Sequence, residues 1–428
     1  MRICVYGLWH LGTVTAACLA SGGHEVVGLD PDPTVVKRLK EGKPPLFEPG
    51  LEELVKGCAN LNFTTNITEA LEGAEVVWVT YDTPVDPDDN ADVNYVMERV
   101  ERLFAHLSPG TLVLVSSQLP VGSTRRLENA CPDKSISFAY SPENLRLGKA
   151  IEVFSKPDRI VVGIRNEKDR KRIEALFCPW NPRIEWMSVE SAEMTKHAVN
   201  AFLATSVAFI NELAGICERV GADAKEVERG LKSESRIGPK AYLCPGAAFA
   251  GGTLARDVTF LNQTGTKYQL PTHLLSGVHA ANNAHKNWAR RRLLELLGNI
   301  HDCRIAVWGL TYKPGTDTLR RSSSVELCVW LAQQGALVQA HDPAVKSLPA
   351  ELSTKIHLFA SAREALIGAE ALVVATEWPD YRTIEATTIV SAMKNPAVLD
   401  ASRFLASTLG TDSRIRYVTV GKPVHHEV

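Results

Sequence analysis

The chain carries one pattern twice: an apolar run, a glycine-containing turn, a helical segment, and a second apolar run that ends in an acid. The first copy extends from Arg2 to Asp30, and the pattern restarts at Cys303 and reaches its acid at Asp342. Units of this kind build parallel sheets with helices on both faces. A chain of 428 residues also exceeds what a single core supports. We therefore predict the α/β fold class, with two Rossmann-like doubly wound domains joined by a long central helix.

The central helix is predicted from a proline-free stretch, Ser191 to Gly221, whose apolar residues recur at helical spacing. We expect this helix to be largely buried, and the apolar residues that suggest it are Met194, Ala198, Phe202 and Phe209. Lys196 and Asn200 are four residues apart and share one face. A lysine that reaches the surface beside an exposed amide is the simplest explanation for such a pair. We predict three domains, which are residues 1–190, 191–299 and 300–428. The middle domain is a helical region for dimerisation.

Composition excludes several classes of protein. A net charge of −2 gives no field for nucleic acid or an acidic membrane surface. Nine cysteines without paired spacing favour a reducing, cytoplasmic compartment and give no metal site. The sequence shows no run of about eighteen apolar residues and opens directly on a strand, so we expect neither a membrane span nor a signal peptide.

The first turn indicates a dinucleotide site. Asp30 follows Gly12 by eighteen residues, where a carboxylate accepts hydrogen bonds from an adenosine ribose and repels a 2′-phosphate, so NAD is favoured over NADP. The usual G-x-G-x-x-G pattern is altered, because Trp9 occupies the position of the second glycine. The indole could close the site, or the cofactor could lie slightly displaced beside it. A domain that has lost its nucleotide is the alternative.

Two further stretches suggest ligand contacts. The loop from Cys244 to Asp257 is rich in small residues, which lets its backbone approach a ligand closely. In the second domain, the turn from Gly309 to Asp317 lacks the glycine pattern but contains Lys313. A basic turn without the glycine pattern suits a diphosphate that side chains hold together with a helix end.

These residues together resemble the UDP-glucose/GDP-mannose dehydrogenase family over nearly the whole chain. The resemblance is carried by short runs in the family's order: GLWHLG with Asp30, Phe47–Leu51, Thr83-Pro84, Leu119–Gly122, Ser141–Arg146, Pro157–Ile160, Glu193–Lys196 with Asn200, Asn211-Glu212, Arg236–Gly238, Pro245–Asp257, Tyr312-Lys313 with Thr316, Asp317 and Arg320, and Thr376–Trp378. It implies an NAD-dependent enzyme that oxidises C6 of a nucleotide-linked hexose from alcohol to acid. A homodimer formed through the central helix is implied as well.

The resemblance also implies roles for individual residues. Lys196 and Asn200 would stabilise the oxyanion that develops at C6, Asp257 would order water and transfer protons, and Glu143 is a second candidate acid or base. The implied cofactor-binding residues are Gly7, Trp9, His10, Leu11, Gly12, Asp30, Thr83, Gln118, Arg256 and Arg320. The implied substrate-binding residues are Leu145, Arg146, Arg236, Phe249, Gly251 and Lys313.

The sequence departs from the family where the chemistry takes place. The family's loop reads G-F-G-G-S-C-x-P-K-D, and Thr253 stands where its cysteine forms a covalent adduct with the substrate. A threonine hydroxyl without an adjacent base is a poor nucleophile, so we expect Thr253 to be a small polar loop residue. Cys244 is the nearest thiol in sequence, and we expect it to be buried and structural. Further changes are Ala248 and Ala250 for glycines, Arg256 for lysine and Gln118 for threonine.

The main hypothesis is an NAD-dependent dehydrogenase of a UDP- or GDP-hexose that proceeds without a covalent cysteine adduct. Oxidation could stop after one hydride, or the aldehyde could hydrate and be oxidised again. The alternative from another class is a catalytically silent nucleotide-sugar-binding protein. A hydroxyacid-type dehydrogenase would share the first domain and the helix, but it leaves the second α/β domain unexplained.

Overall fold

The computed structural model describes residues 1–84, 86, 91–250 and 252–423. Within them the chain forms two compact units, which divide between Val199 and Asn200. The first unit contains β1–β8, which are Arg2–Tyr6, Glu25–Leu29, Leu61–Thr64, Val76–Val79, Leu112–Val115, Ser137–Tyr140, Ile160–Gly163 and Ile184–Met187. Its helices α1–α8 are His10–Ser21, Pro33–Lys40, Leu51–Gly57, Ile67–Leu71, Val93–Glu101, Ser123–Ala130, Ala150–Ser155 and Lys168–Phe177.

A long helix and the second unit follow. Helices α9–α16 are Val189–Val220, Ala224–Ser233, Thr253–Lys267, His273–Lys286, Trp288–Leu297, Ser323–Gln333, Ala350–Ser353 and Ala386–Ala392. Strands β9–β14 are Arg304–Trp308, Leu337–His341, Ile356–Leu358, Ala371–Val374, Ala397–Asp400 and Arg416–Val418.

Both sheets have the same order at their centre. The first is ordered β3-β2-β1-β4-β5-β6-β7-β8, and the second β11-β10-β9-β12-β13-β14. All described pairings are parallel except that between β6 and β7. In each sheet the order reverses beside the first strand of the unit, and ligands bind at such switch points. The predicted fold class is confirmed.

Apolar side chains cover both faces of each sheet. Ile3 and Val5 point into one cluster of the first unit, whereas Cys4 and Tyr6 point into the other. Ile305 and Trp308 divide in the same way between the two clusters of the second unit. Because a parallel strand is buried on both faces, its sequence reads as one apolar run, which is why β1 and β9 were predictable.

The long helix α9 begins two residues before the predicted start and ends at Val220. Our expectation that it is largely buried was wrong. The residues that suggested the helix, Met194, Ala198, Phe202 and Phe209, are all exposed, and Phe202 is 70% exposed. Its buried face instead carries small residues such as Ala204 and Ala208.

The helix α9 is also apolar enough to be compared with a membrane span. Among the described residues it alone combines sufficient length with a mean hydropathy of 1.4 over an 18-residue window, of which 44% is buried inside the protein. Core helices of soluble proteins satisfy the same two criteria. The expectation that no segment crosses a membrane therefore stays a prediction.

Candidate active site

The turn after β1 is closed by glycines that no other residue could replace. Gly7 has φ +98°, and a Cβ on Gly12 would lie 1.8 Å from the Gly7 carbonyl oxygen. Thr80, which directly follows β4, stabilises the turn, since its Oγ1 donates to the Gly7 carbonyl oxygen at 2.8 Å. The helix α1 starts directly behind it, and the first N–H groups of a helix have no partner within the helix. This geometry suits an anionic diphosphate.

Trp9 occupies the N-cap position of α1 without straining the backbone. Its φ of −74° lies in the region open to all residues, so the turn does not require a glycine there. The indole is 48% exposed. The altered glycine pattern is therefore compatible with a normally formed turn, and what the indole does to a bound cofactor stays a prediction.

Asp30 lies at the end of β2 and orients toward the same turn. Its Oδ2 accepts the Leu8 N–H at 2.7 Å, and its Oδ1 accepts the Asp32 N–H at 2.9 Å. A carboxylate offers about four acceptor positions. Two backbone donors thus fix this side chain and leave acceptor capacity for ribose hydroxyls.

His10 has a partner that sequence reasoning did not assign. Its Nε2 lies 2.9 Å from Oε2 of Glu48, whose carboxylate also accepts the N–H groups of Gly148 and Ala150 at 2.9 and 2.8 Å. Burial alone would raise the pKa of Glu48, but these three hydrogen bonds outweigh it and hold the pKa below its usual value. Glu48 was noticed only as part of a motif, because nothing in the sequence pairs it with residue 10.

The loops after β4 and β5 meet at a hydrogen bond. Thr83 Oγ1 donates to the Gln118 carbonyl oxygen at 2.7 Å. Both residues are buried, at 6% and 8% exposure. The two predicted cofactor residues are thus brought together at the edge where ligands bind in parallel sheets.

The side chain of Lys196 is buried, at 9% exposure, and does not extend to the surface. Its Nζ donates to the Glu143 carbonyl oxygen at 2.6 Å and lies 3.6 Å from Glu143 Oε1. Glu143 is itself oriented, since its Oε2 accepts the Leu145 N–H at 2.8 Å. The expectation of a snorkelling lysine was wrong, because the ammonium is held against the loop after β6.

Neighbouring residues of α9 fix this lysine in place. The Glu193 carboxylate, with no exposed surface, accepts the Gly122 and Thr124 N–H groups at 2.6 and 2.9 Å, at the start of α6. His197 Nε2 lies 3.0 Å from the Leu119 carbonyl oxygen. A carboxylate at a helix N-terminus is stabilising. The segment that carries Lys196 is therefore anchored on both sides.

Asn200 and Asp257 form a buried pair within the second unit. Asn200 Nδ2 donates to Asp257 Oδ2, and the two residues are 7% and 0% exposed. Asp257 lies in the second turn of α11, four residues after Thr253. This hydrogen bond satisfies part of the acceptor capacity of the buried carboxylate.

Thr253 is the first residue of α11 and is exposed. It follows Gly252, whose φ of +108° is a glycine conformation. Among the described residues its hydroxyl makes no hydrogen bond to a histidine, lysine or acid that could activate it. The expectation of a small polar residue therefore fits the geometry. Gly251, predicted to bind substrate, lies outside the described residues.

Cys244 differs from its expectation, which was wrong. It is exposed, and its Sγ accepts a hydrogen bond from Lys225 Nζ at 3.0 Å. Lys225 also donates to Glu228 at 2.7 Å. The neighbours of Cys244, which are Leu243 and Pro245, are both buried, and no spacing in the sequence indicated that the thiol between them is exposed.

The loop residues after Cys244 are held by three buried side chains that sequence analysis did not assign to this task. Asn211 contacts Gly246 and Ala247, Asn282 contacts Phe249, and His285 Nε2 lies 2.8 Å from the Gly246 carbonyl oxygen. Burial lowers the pKa of His285, which favours the neutral ring. The partly buried ring of Phe249 packs against the apolar cluster of α9, α11 and α12.

The remaining predicted residues are spread over several surfaces. Arg146 and Arg320 are exposed, Arg256 and Lys313 are half-buried, and Leu145 packs against the core of the first unit. Arg236 is exposed and its Nε donates to Glu234 at 3.0 Å. Lys313 and Arg320 lie in the stretch between β9 and α14. Their ligand-binding roles stay predictions.

Comparison with known proteins shows which family the chain belongs to. Residues 1–181 match the NAD binding domain, 190–284 the central domain and 306–407 the UDP binding domain of one family of models. The chain belongs to the UDP-glucose/GDP-mannose dehydrogenase family. This confirms the resemblance that the sequence motifs indicated.

Relatives with this architecture cover nearly all of the chain. A UDP-glucose 6-dehydrogenase of Pseudomonas aeruginosa is 33% identical over 99% of this chain and 98% of its own length. The UDP-glucose 6-dehydrogenase YwqF of Bacillus subtilis is 32% identical over 99% of this chain and 98% of its own length. The solved structure of a UDP-glucose dehydrogenase from Pyrobaculum islandicum aligns with a TM-score of 0.85 and 29% identity, over 98% of this chain and 96% of that one.

As a member of this family, the protein is an NAD-dependent oxidoreductase that acts on a CH–OH group of a nucleotide sugar. The predicted cofactor, NAD, is confirmed. NAD supplies the hydride acceptor when bound, and the glycine turn with Asp30 fits it. The division of the chain at 190 and 299 and the roles of the individual site residues stay predictions.

Proposed function

We propose that this dehydrogenase oxidises C6 of a UDP- or GDP-hexose from the alcohol to the acid without a covalent enzyme adduct. The observation that carries the proposal is the pair of residues one turn apart on α11. Thr253, at the position of the family's cysteine, is exposed, whereas Asp257 is fully buried and bonded to Asn200. A carboxylate oriented by an amide can act as a base, whereas a hydroxyl without an adjacent base is a poor nucleophile.

The reaction balances in three steps. The alcohol loses a hydride from C6 and a proton from its hydroxyl, which gives an aldehyde. Water adds to the aldehyde to form the gem-diol, and loss of a second hydride and proton gives the acid. Two NAD are reduced for each sugar, and water supplies the additional oxygen.

Lys196 and Asn200 stabilise the oxygen at C6. The ammonium has three N–H donors, of which Glu143 O takes one. The Asn200 amide has two, of which Asp257 takes one. Among the residues that the structure describes, these contacts leave donors on both groups for an oxyanion, and a buried donor aimed at developing charge contributes about 3–4 kcal/mol to lowering the barrier. Asp257 accepts the proton of the attacking water.

The test is product analysis with UDP-glucose, GDP-mannose and NAD. We expect two NADH per sugar and no mass increase on the intact protein in a quenched reaction. One NADH per sugar with aldehyde release would show that oxidation stops early. A Thr253→Ala variant should keep its rate within about threefold, since the hydroxyl is not the nucleophile. Complete loss of turnover in that variant would contradict the proposal.

We further propose that α9 joins two copies of the chain. Phe202, Phe209 and Ile216 are 70%, 49% and 58% exposed and follow one another at intervals of seven, which places them on one face. Contiguous exposed apolar surface of this kind marks an interface. A second copy of the helix fits it, because a twofold axis pairs a stripe with itself.

The oligomeric state tests this part. Phe202→Glu should convert the protein to a monomer in analytical ultracentrifugation. Phe47→Glu is the matched control, since Phe47 is 83% exposed and lies in the first unit. A wild-type protein that sediments as a monomer at micromolar concentration would overturn the dimer.

A further inference from the structure

The described residues between Cys244 and α11, 245–250 and 252, form neither helix nor strand, yet buried side chains bind their backbone. Five polar groups of Gly246, Ala247 and Phe249 are bound by three side chains, Asn211, Asn282 and His285, which we call the loop clamp. The clamp residues are 2%, 4% and 9% exposed.

Asn282 makes the most specific of these contacts. Its Oδ1 accepts the Phe249 N–H at 3.0 Å, and its Nδ2 donates to the Phe249 carbonyl oxygen at 2.8 Å. One amide thus binds both backbone groups of a single residue, as a neighbouring strand would. His285 lies three residues later on the same face of α12, and its Nε2 carries the proton, because the Gly246 carbonyl oxygen can only accept.

The helix α9 holds both ends of the same segment. Asn211 follows Asn200 by eleven residues, which is about three turns, so the two amides share one face. Asn211 binds Gly246 and Ala247, whereas Asn200 binds Asp257. The segment that leads to Thr253 and Asp257 is therefore fixed at its start and at its end.

A connecting loop at a surface can leave its backbone groups to water. Buried amides that replace this water are needed where the loop must keep one geometry, since each ordered residue costs about 1–2 kcal/mol of conformational entropy. Contacts outside the reacting groups matter for rate, because a displacement of about 1 Å in a catalytic group can cost about 100-fold.

We propose that Asn282 is a positioning residue of the dehydrogenase: it fixes Phe249 and thereby the presentation of Asp257 to the substrate. Asn211 and His285 both bind Gly246 of the same loop. This inference rests on the proposed function of Asp257. Asn282 itself does not act on the substrate.

The experiment compares Asn282→Asp with Asn283→Asp in the full-length enzyme. Asn283 is the next residue of α12 and is exposed, so it receives the same chemical change without touching the loop. At residue 282 the carboxylate still accepts the Phe249 N–H but faces the carbonyl oxygen with a second acceptor. We expect kcat per NAD site, counted by calorimetry, to fall by about 10- to 100-fold. KM for the nucleotide sugar should stay within about threefold.

A pH profile separates positioning from simple loss of structure. The introduced carboxyl regains a donor when it is protonated, so the rate of Asn282→Asp relative to wild type should recover as the pH falls. Asn283→Asp should follow wild type throughout. A variant that only lost folded protein would show fewer NAD sites with an unchanged kcat per site.

A second pair of variants tests the loop clamp if Asn282→Asp folds poorly. His285→Gln keeps a donor for the Gly246 carbonyl oxygen, and His285→Ala removes it, so we expect the first to retain most of the rate and the second to lose it. If the wild-type enzyme turns over and Asn282→Asp has the same kcat per NAD site, the inference is overturned and the proposed function is not. Absence of any wild-type turnover would overturn both the inference and the proposed function.

Discussion

The two sheets share an order but differ in the turn that follows the first strand. In the first unit three residues, Gly7–Trp9, separate β1 from α1. In the second, fourteen residues, 309–322, separate β9 from α14 and include Lys313 and Arg320. The short turn presents a helix N-terminus directly, whereas the long one presents side chains. We therefore expect the two units to bind a diphosphate in different ways, although their sheets share one topology.

Asp30 and Asp342, which follow the second strand of each unit, differ in the number of hydrogen bonds that they accept. Asp30 accepts two backbone N–H groups. Asp342 accepts five donors, of which four, from Leu310, Thr311 and Trp378, meet on Oδ2. A carboxylate saturated in this way holds its own loop together and has little capacity left for a ligand. We therefore expect a binding role for Asp30 and a structural role for Asp342, although the two residues follow equivalent strands.

The largest effect is expected for Gly12→Ala, which would block the short turn. Its Cβ would lie 1.8 Å from Gly7 O and 2.7 Å from Thr80 Oγ1, so the turn must open, at a cost of about 3 kcal/mol. We expect NAD affinity, measured by calorimetry, to fall by at least about 100-fold, with UDP binding retained. Gly57→Ala is the control, because nothing lies within 4 Å of its added Cβ. Equal NAD affinity in both variants would contradict the assigned role.

The pair Asp342→Asn and Asp30→Asn tests the comparison directly. The first should lower the free energy of unfolding by about 3 kcal/mol, because an amide nitrogen meets donors that need an acceptor. The second should lower NAD affinity about tenfold, or about 1.4 kcal/mol, and improve NADP relative to NAD, since a repelling charge is lost. Chemical denaturation and calorimetry measure the two effects. A reversed pattern would show that the two acids were assigned wrongly.

Trp9→Gly is expected to change little in stability and more in binding. Since its φ is −74°, the turn has no need of a glycine, and the change in unfolding free energy should stay below about 1 kcal/mol. We expect NAD to bind a few-fold more tightly once the indole is removed. Trp9→Ala separates the loss of bulk from the gain of backbone freedom. Weaker NAD binding in both variants would show that the indole contributes to the cofactor site.

The smallest effect concerns acid sensitivity at the start of α9. Hydrogen bonds from Arg165 lower the pKa of Glu190 to about 2. A lowered carboxyl pKa stabilises the fold above the unfolded value near 4.5, and this contribution disappears as the pH falls toward 2. The difference in unfolding free energy between wild type and Glu190→Gln should therefore be largest near neutral pH and vanish near pH 2.

Asp223 of the second unit also has a lowered pKa, because its hydrogen bonds with Arg403 and Lys225 outweigh its burial. Asp223→Asn should show the same trend, and a difference that persists unchanged to pH 2 would contradict it.

Much of the fold could be predicted because its signals are local. The first copy of the predicted pattern begins at Arg2, where β1 begins, and its acid, Asp30, directly follows β2. The short strands β3, β11 and β14 were not predicted. Each has three or four residues, at least one of which is exposed, so none of them forms a continuous apolar run in the sequence.

The sequence by itself determined the two sheets, the glycine turn, the cofactor and the family, since each rests on residues close together in the chain. Only the tertiary structure decided that Lys196 is buried against Glu143, that the apolar stripe of α9 is exposed and that Cys244 reaches the surface. It alone also showed that Asn282 holds Phe249, 33 residues away. Helical spacing shows which residues share a face, but what packs against that face depends on segments distant in the chain.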